Sequence, residues 1–246
     1  MKKFSLIIPC FNEEGNIDRL LNSCENFLKK EENELILVDN GSIDKTSEKI
    51  DNYLNINNLK KVSIIKNRGF GYGVMKGLEK ANGEYLCYTH ADAETDPNDV
   101  NIGIEIIKKN ESNTNKLYIK GNRINRRKNN WSYLEMLISS GSSVFFSVVF
   151  RMKLKDLHAQ PVIFHKDFFL LWKNAPNDFM LDIYNFILAK KIGLKIIRFP
   201  VNFNKKNRIY GSGNNDSLSK IFIGSLKHIL STFYLYKSIL KDINEN

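Results

Sequence analysis

The sequence predicts an α/β fold with a mostly parallel central sheet, its first half a Rossmann-like nucleotide-binding unit. Three observations predict it. Short apolar runs in the N-terminal part alternate with segments whose apolar residues recur at helical spacing. Each run closes in a cluster of Asn, Asp, Gly or Pro, and parallel strands joined by right-handed helical crossovers satisfy that order. The fourth run ends in a group of acids, at the strand end where α/β sheets bind ligands. With 246 residues, 42% of them hydrophobic, the chain can bury a full core, and no linker composition divides it.

The first run, residues 4–8, is closed by Pro9, and over residues 15–30 Ile17, Leu20, Leu21, Cys24, Phe27 and Leu28 take helical spacing. A second strand, 34–38, ends in Asp39-Asn40-Gly41-Ser42, after which Asp44 caps a helix to about residue 55. The third strand, 62–65, runs into the glycine-rich stretch 66–73 and a helix to about residue 81. Tyr85-Leu86-Cys87-Tyr88 is the fourth strand and leads into THADAETDP, where Asp96 and Pro97 are the cap and first position of the next helix. The later half is less regular and has no internal repeat. It holds strands at 116–120, 161–164 and 195–199, a mostly buried helix at 131–151 and another at 178–191. A basic loop at 121–128 and a polar, Gly- and Asn-rich loop at 202–217 precede a final helix from about residue 218. In that helix Leu218, Ile221, Phe222, Leu226, Ile229, Leu230, Phe233 and Tyr236 share one broad face, with Lys220, Lys227 and Lys237 elsewhere. Such a face either packs on the core or lies against an anionic membrane.

Lys and Arg number 37 against 27 Asp and Glu, a net charge of +10 that favours an anionic partner: nucleotide diphosphate, anionic lipid or nucleic acid. Cys10, Cys24 and Cys87 match no zinc or CxxC pattern and read as buried thiols of a reducing compartment. The first apolar run is too short for a signal sequence, and the later run at 144–150 falls far below the ~20 residues that span a bilayer. The expected location is therefore the cytoplasm, with peripheral attachment to the inner face of the membrane as the further possibility. A dehydrogenase would need a glycine fingerprint where Gly15 stands alone. The alternative of a basic nucleic-acid-binding module without enzymatic activity would use residues 123–128, yet it gives Asp39 and Asp92 no role, so no nucleic acid is expected.

Ligand contacts should gather where the first four strands end, at 9–13, 39–42, 66–73 and 90–94. Asp92 is the first candidate to hold Mg2+ or Mn2+ carrying a nucleotide diphosphate, with His90 and Glu94 directed the same way by strand alternation. Asp39 can accept hydrogen bonds from a nucleobase or ribose, or close an Asx turn. Gly41, Asn67 and Gly69 line the same edge; Gly69, Gly71, Gly73 and Gly77 either let backbone amides approach a phosphate or let a helix pack closely on the sheet. Arg123, with Arg126 and Arg127, can clamp phosphates, and Arg208 lies on a cationic loop suited to closing over a diphosphate. Asp178 and Asp182 share a helix face from which either can serve as general base for an acceptor hydroxyl. Asp156 and His158 offer a second carboxylate and imidazole.

Four ordered stretches, FSLIIPCFNEEGNI, ELILVDNGSIDKT, NRGFGYGVMKGLEKANGEYLCYTHADAETDP and VNFNKKNRIYGSG, closely resemble the family-2 glycosyltransferases of GT-A fold, an α/β/α sandwich. Within that family the likeness is to dolichol- and polyprenyl-phosphate sugar transferases, over about residues 4–213. It implies a glycosyltransferase domain at 1–217, with a nucleotide-sugar-binding half at 1–115 and an acceptor-binding half at 116–217, then a C-terminal amphipathic helix at 218–246. By resemblance, Pro9, Asn12, Glu13 and Asp39 hold the nucleoside. Asp92 matches the second acid of the metal-binding Asp-x-Asp motif, His90 stands in place of the first, and Arg208 with Gly211 matches the Arg-x-x-Gly segment near the donor phosphates. The resemblance further implies inversion at the sugar carbon by direct attack of a polyprenyl-phosphate or glycan acceptor, with metal and Arg208 stabilising the departing diphosphate. A lipid phosphate needs no strong base; a sugar hydroxyl requires Asp182 or Asp156 to take its proton.

Overall fold

A computed structural model of the chain describes residues 3–110, 114–207 and 218–245, the stretch 218–230 by its backbone alone, and its centre is a seven-stranded sheet. The strands are β1 (Phe4–Cys10), β2 (Asn33–Asn40), β3 (Leu59–Ile64), β4 (Tyr85–Tyr88), β5 (Leu117–Ile124), β6 (Val162–His165) and β7 (Lys195–Asn202). They lie in the order β3-β2-β1-β4-β6-β5-β7. The helices are α1 (Ile17–Leu28), α2 (Thr46–Asp51), α3 (Phe70–Leu78), α4 (Val100–Lys109), α5 (Tyr133–Val149), the single turn α6 (Lys166–Phe169), α7 (Leu181–Lys191) and α8 (Leu218–Asn244).

The first four strands pair in parallel, as their alternation with helices requires. β6 runs antiparallel to both β4 and β5, while β5 and β7 are parallel. One reversed strand therefore brings the residues just before β6 to the same edge as those just after β4, β5 and β7. β5 is longer than its apolar pattern: Gly121 to Ile124, expected in a loop, pair with β7. β7 likewise continues through Pro200, which an edge strand tolerates because a missing N–H there breaks no ladder on its open side.

Strand alternation sends Leu6, Ile8, Leu35 and Leu37 to a core shared with α1 and α4, and Ile7, Val38 and Leu86 to a larger core shared with α3 and α7. α7 is buried from Leu181 to Ala189, including Asp182 and Asn185. α5 overturns the expectation of a mostly buried helix. A Ser132–Glu135 capping box starts it, but among its residues only Ser143 and Phe146 are buried, and Tyr133, Leu137 and Val148 are about seven-tenths exposed. Its inward side is lined with hydroxyls: Leu154 N donates to Ser147 Oγ at 2.9 Å and Asp156 N to Ser143 Oγ at 3.3 Å. Because α5 is apolar on most sides, its period could not say which side faces in.

In α8 the described inward residues are Thr232, Leu235, Ser238, Ile239 and Asp242, the last accepting hydrogen bonds from Tyr184 Oη and Asn174. Phe233 and Tyr236, assigned to the apolar face, are exposed instead, and the side chains of that face from 218 to 230 lie outside the described residues. A carboxylate paired through a Tyr184 hydroxyl turns the helix by more than its aromatic pattern suggests.

The start of α3 is pinned to segment 176–178. Tyr72 N donates to Asn177 O at 2.8 Å, and a Cβ on Gly71 would stand 2.6 Å from Asp178 O and 2.8 Å from Pro176 O. Backbone cannot withdraw as a side-chain tip can, so Gly71→Ala is expected to cost about 1–3 kcal/mol, a fall in melting temperature of roughly 2–12 °C for a chain of this size. Gly141 in α5 has open space at its Cβ, and Gly141→Ala should leave the melting temperature unchanged or raise it slightly. Equal melting temperatures for the two variants would contradict this packing.

Candidate active site

α1 and α3 cover opposite faces of the sheet, so a crevice opens outside the ends of β1 and β4, the position where such sheets bind ligands. Its rim along the ends of β1 and β2 is made of loops fastened to one another. Asn12, at φ +55°, donates its N–H to Ser42 Oγ (3.1 Å) and accepts from Ile43 N at Oδ1 (2.9 Å). Glu13 N donates to Thr46 Oγ1 at 2.7 Å, and Glu13 Oε2 accepts from Asn16 Nδ2 at 2.5 Å. Asn12 and Glu13 thus hold loop to loop and shape the rim. Pro9 is half-buried at the end of β1, where it limits the space at Gly73. Asp39 is buried at the end of β2, and its Oδ1 accepts from Ser42 N at 3.0 Å, an Asx turn completed by Gly41 at φ +75°. A Cβ on Gly41 would stand 2.4 Å from Asn67 N, so the second and third strand-end loops touch.

The glycine-rich loop packs closely on its neighbours. Asn67 Oδ1 accepts from Gly69 N, Asn40 Nδ2 donates to Gly69 O, and a Cβ on Gly69 would stand 2.7 Å from Asn177 O. With Tyr72 N also taken by Asn177 O, these glycines serve close packing, the second of the two roles their spacing allows.

The His90–Glu94 alternation fails, because β4 stops at Tyr88 and Ala93 turns the chain at φ +60°. Glu94 is buried beneath the loop; Asp92 is half-buried with Oδ1 accepting from Glu94 N at 3.2 Å. Among the described residues no three His, Cys, Asp or Glu side chains group to hold a metal ion. Asp92 alone still suits a hard cation of the Mg2+ or Mn2+ kind, which takes one or two carboxylates and completes its shell with phosphate and water. The His90 ring instead stands in an aromatic row: Phe179 stacks on Phe70 at 5.6 Å, Phe70 lies 4.8 Å from His90, and His90 meets Phe203, which meets Trp131 at 5.9 Å. Burial pushes the imidazole of His90 below its ordinary pKa, against the pull of Asp92 and Asp182.

Arg123 was expected to clamp substrate phosphate, but its side chain is engaged internally. Asp156, buried and at φ +53°, accepts from Arg123 N at 2.7 Å and Arg123 Nε at 2.5 Å, and pairs with Arg126 at 2.7 Å and Arg198 at 3.6 Å. Burial raises the Asp156 carboxyl, and Arg123 and Arg126 more than offset this and hold it below the usual range. Asp178 accepts from Met180 N at the start of α7. Arg208 and Gly211 lie outside the described residues.

Asp182 does not reach the crevice as a base. It is fully buried, accepts from Tyr88 Oη at 2.7 Å and from Gln160 Nε2 at 3.3 Å, and lies 3.4 Å from His158 Nδ1. Burial raises its pKa, but His158, Lys120 and His90 outweigh burial and hold it down to about 2, too weak a base for a hydroxyl. Sequence reasoning missed Lys120, Gln160 and Tyr88. Lys120 is fully buried with no hydrogen-bond partner at Nζ, and burial, opposed by Asp182, pulls its amine down to about 8. A lysine at an inward position of an apolar strand was the available signal.

Together, a doubly covered, mostly parallel sheet, a strand-end aspartate and a loop crevice define a protein of the α/β class with a ligand crevice at its strand ends. The glycosyl transferase family 2 model matches residues 5–179, and the chain belongs to that family. Its fold is the GT-A fold. The chain is 28% identical over 233 residues to a dolichol-phosphate mannosyltransferase of Pyrococcus furiosus, covering 92% of this chain and 62% of that protein. It is 33% identical over 106 residues to an undecaprenyl-phosphate 4-deoxy-4-formamido-L-arabinose transferase of Proteus mirabilis, covering 41% of this chain and 32% of that one. The chain thus spans about six-tenths of the first relative's length and a third of the second's. Among solved structures, glucosyl-3-phosphoglycerate synthase from Mycobacterium tuberculosis with Mn2+, uridine-diphosphate and phosphoglyceric acid superimposes with a TM-score of 0.70 at 15% identity, over 95% of this chain and 78% of that one.

The pKa of Asp182 lies below the ordinary 3.8, so its contribution to stability, about 2 kcal/mol, is complete above pH 4 and lost as pH falls toward 2. Asp182→Asn, which leaves Lys120 without its counter-charge, is expected to lower unfolding free energy by about 3–5 kcal/mol at pH 7, a gap that narrows as pH falls from about 4 to 2. Urea midpoints across that range check both; a variant as stable as the parent at pH 7 would contradict the role given to Asp182.

Proposed function

We propose that the protein is an inverting glycosyltransferase that moves a sugar from a nucleotide-diphosphate sugar to a polyprenyl-phosphate or glycan acceptor held at a membrane surface. The observation that carries the donor side is Asp92 at the mouth of the β1–β4 crevice, flanked by the Asp39 turn. The relatives' names support a sugar donor and a polyprenyl-linked acceptor, and the Mn2+ and uridine-diphosphate named for the structural neighbour support a divalent cation. Asp92 would hold that Mg2+ or Mn2+, which supplies positive charge against the leaving diphosphate. Asn12, Glu13 and Gly41 keep the rim rigid, Asp39 faces the nucleoside, and Arg208 and Gly211 lie on the loop assigned to the donor phosphates. Direct attack of the acceptor oxygen on the sugar carbon, opposite the departing diphosphate, inverts that carbon.

The membrane side rests on α5. Tyr133, Leu134, Leu137, Val144, Phe145 and Val148 form an outward apolar stripe at helical spacing. Residues 121–155 carry seven Lys and Arg against one acid, and Arg127, Lys128, Arg151, Lys153 and Lys155 are exposed. No described helix is long and apolar enough to cross a membrane. An apolar stripe bordered by cations fits a helix lying in the headgroup region of an anionic bilayer.

Turnover of a nucleotide-sugar panel with Mg2+ or Mn2+, offering polyprenyl phosphate and simple saccharides, tests the activity. Asp92→Asn should lower transfer more than about a hundredfold and abolish the metal-dependent tightening of nucleoside-diphosphate binding in calorimetry. An unchanged rate at saturating metal would overturn the assignment. Leu137→Glu combined with Val148→Glu should keep the melting temperature yet lose co-sedimentation with phosphatidylglycerol vesicles; a parent that ignores vesicles but forms a dimer broken by these changes would give α5 to self-association instead.

A further inference from the structure

We propose that His158, oriented by Asp182, is the catalytic residue on the acceptor side, and that the attacking group it serves is a saccharide hydroxyl. The inference rests on the transferase reading and narrows its acceptor. Antiparallel pairing sets Tyr88 opposite Val162, so the residues preceding β6, His158 among them, reach the sheet edge where His90 and Asp92 follow β4. His90 feels the charges of Asp92, Asp182 and His158, so the three groups lie near its ring. The His158 side chain is 30% exposed, whereas the Asp182 side chain is 1% exposed and lies 3.4 Å from Nδ1. Tyr88 and Gln160 fix the Asp182 carboxylate from two other sides. The negative charge of Asp182, 3.4 Å from Nδ1, favours the tautomer with its proton there, which leaves Nε2, on the far edge of the ring, as the basic nitrogen.

In the reaction the acceptor O–H bond breaks and its proton passes to Nε2. The oxygen forms its bond to the sugar carbon, and the bond from that carbon to the diphosphate oxygen breaks, the pair leaving on the nucleoside diphosphate. Asp182 stays ionised and balances the imidazolium until the proton returns to water. A phosphate acceptor would need no base, so a base at this position fits a hydroxyl acceptor. The neighbouring guanidinium groups of Arg123, Arg126 and Arg198 are bound to Asp156, and the side chain of Arg123 is 7% exposed.

The test uses the full chain, the nucleotide sugar from the panel that it turns over, and two acceptors in parallel, a simple saccharide and polyprenyl phosphate. With the saccharide, His158→Ala should lower kcat by about a hundredfold or more while donor KM and nucleoside-diphosphate affinity stay within about twofold. Added imidazole should restore at least about tenfold of the loss, entering the space the ring vacated; His158→Gln, which fills that space, should not respond. A full rate for His158→Ala, a loss that imidazole leaves untouched, or transfer to polyprenyl phosphate alone would each overturn the proposal. No turnover of any nucleotide sugar by the unaltered chain would remove the transferase reading itself, whereas turnover that survives His158→Ala removes only the role of His158.

Discussion

A single buried carboxylate ties β4, β5, α7 and the segment before β6 together. Asp182 is enclosed in α7 and bound to Tyr88 of β4, to Gln160 before β6 and to His158, with the Lys120 amine of β5 supplying charge. These partners come from β4, β5 and the segment before β6, so these elements can meet in one relative arrangement if the carboxylate is to be satisfied. An unpaired charge at that depth would cost several kcal/mol, which makes the arrangement selective as well as stabilising. The same enclosure keeps Asp182 from the surface and leaves His158 as the partly exposed member of the pair.

A second buried carboxylate, Asp156, does comparable work in the segment before β6. Asp156, in a left-handed conformation, gathers Arg123, Arg126 and Arg198 from β5, the loop after it and β7. Trp131 and Phe203 pack on the Arg123 guanidinium at 4.8 and 5.4 Å, so the cluster joins the aromatic row that runs through His90 to Phe179. Cations that look free in the sequence are thereby turned into structure. The exposed charge near this edge comes from Arg127, Lys128 and the basic residues after α5, which border the apolar stripe of that helix.

The rim at the ends of β1 and β2 follows a different rule. There, short loops at successive strand ends are bound to one another through Asn12, Glu13, Asp39, Ser42 and Thr46, and glycines remove side chains where backbone segments touch. A rim built this way loses little freedom when a ligand arrives, which favours tight and oriented binding. Asp92 sits between the two regimes, on the loop that joins the rigid rim to the aromatic row.

Much of this was legible from residues alone. Apolar runs, helical spacing and turn residues placed the four parallel strands and their helices, because these signals are local and repeat every two or 3.6 residues. The motifs at strand ends likewise marked the crevice and Asp92, since a parallel sheet leaves only one edge for them. What only the tertiary structure decided were the partners. Tyr88 and Asp182 are 94 residues apart and Arg123 and Asp156 are 33 apart, and nothing local tells a buried, paired charge from one that waits for substrate. The outward turn of α5 was equally hidden: a helix that is apolar on most sides carries no statement of which side the rest of the chain will cover, and here the choice fell to the hydroxyls of Ser143 and Ser147, which needed the backbone of residues 154–156 to bond.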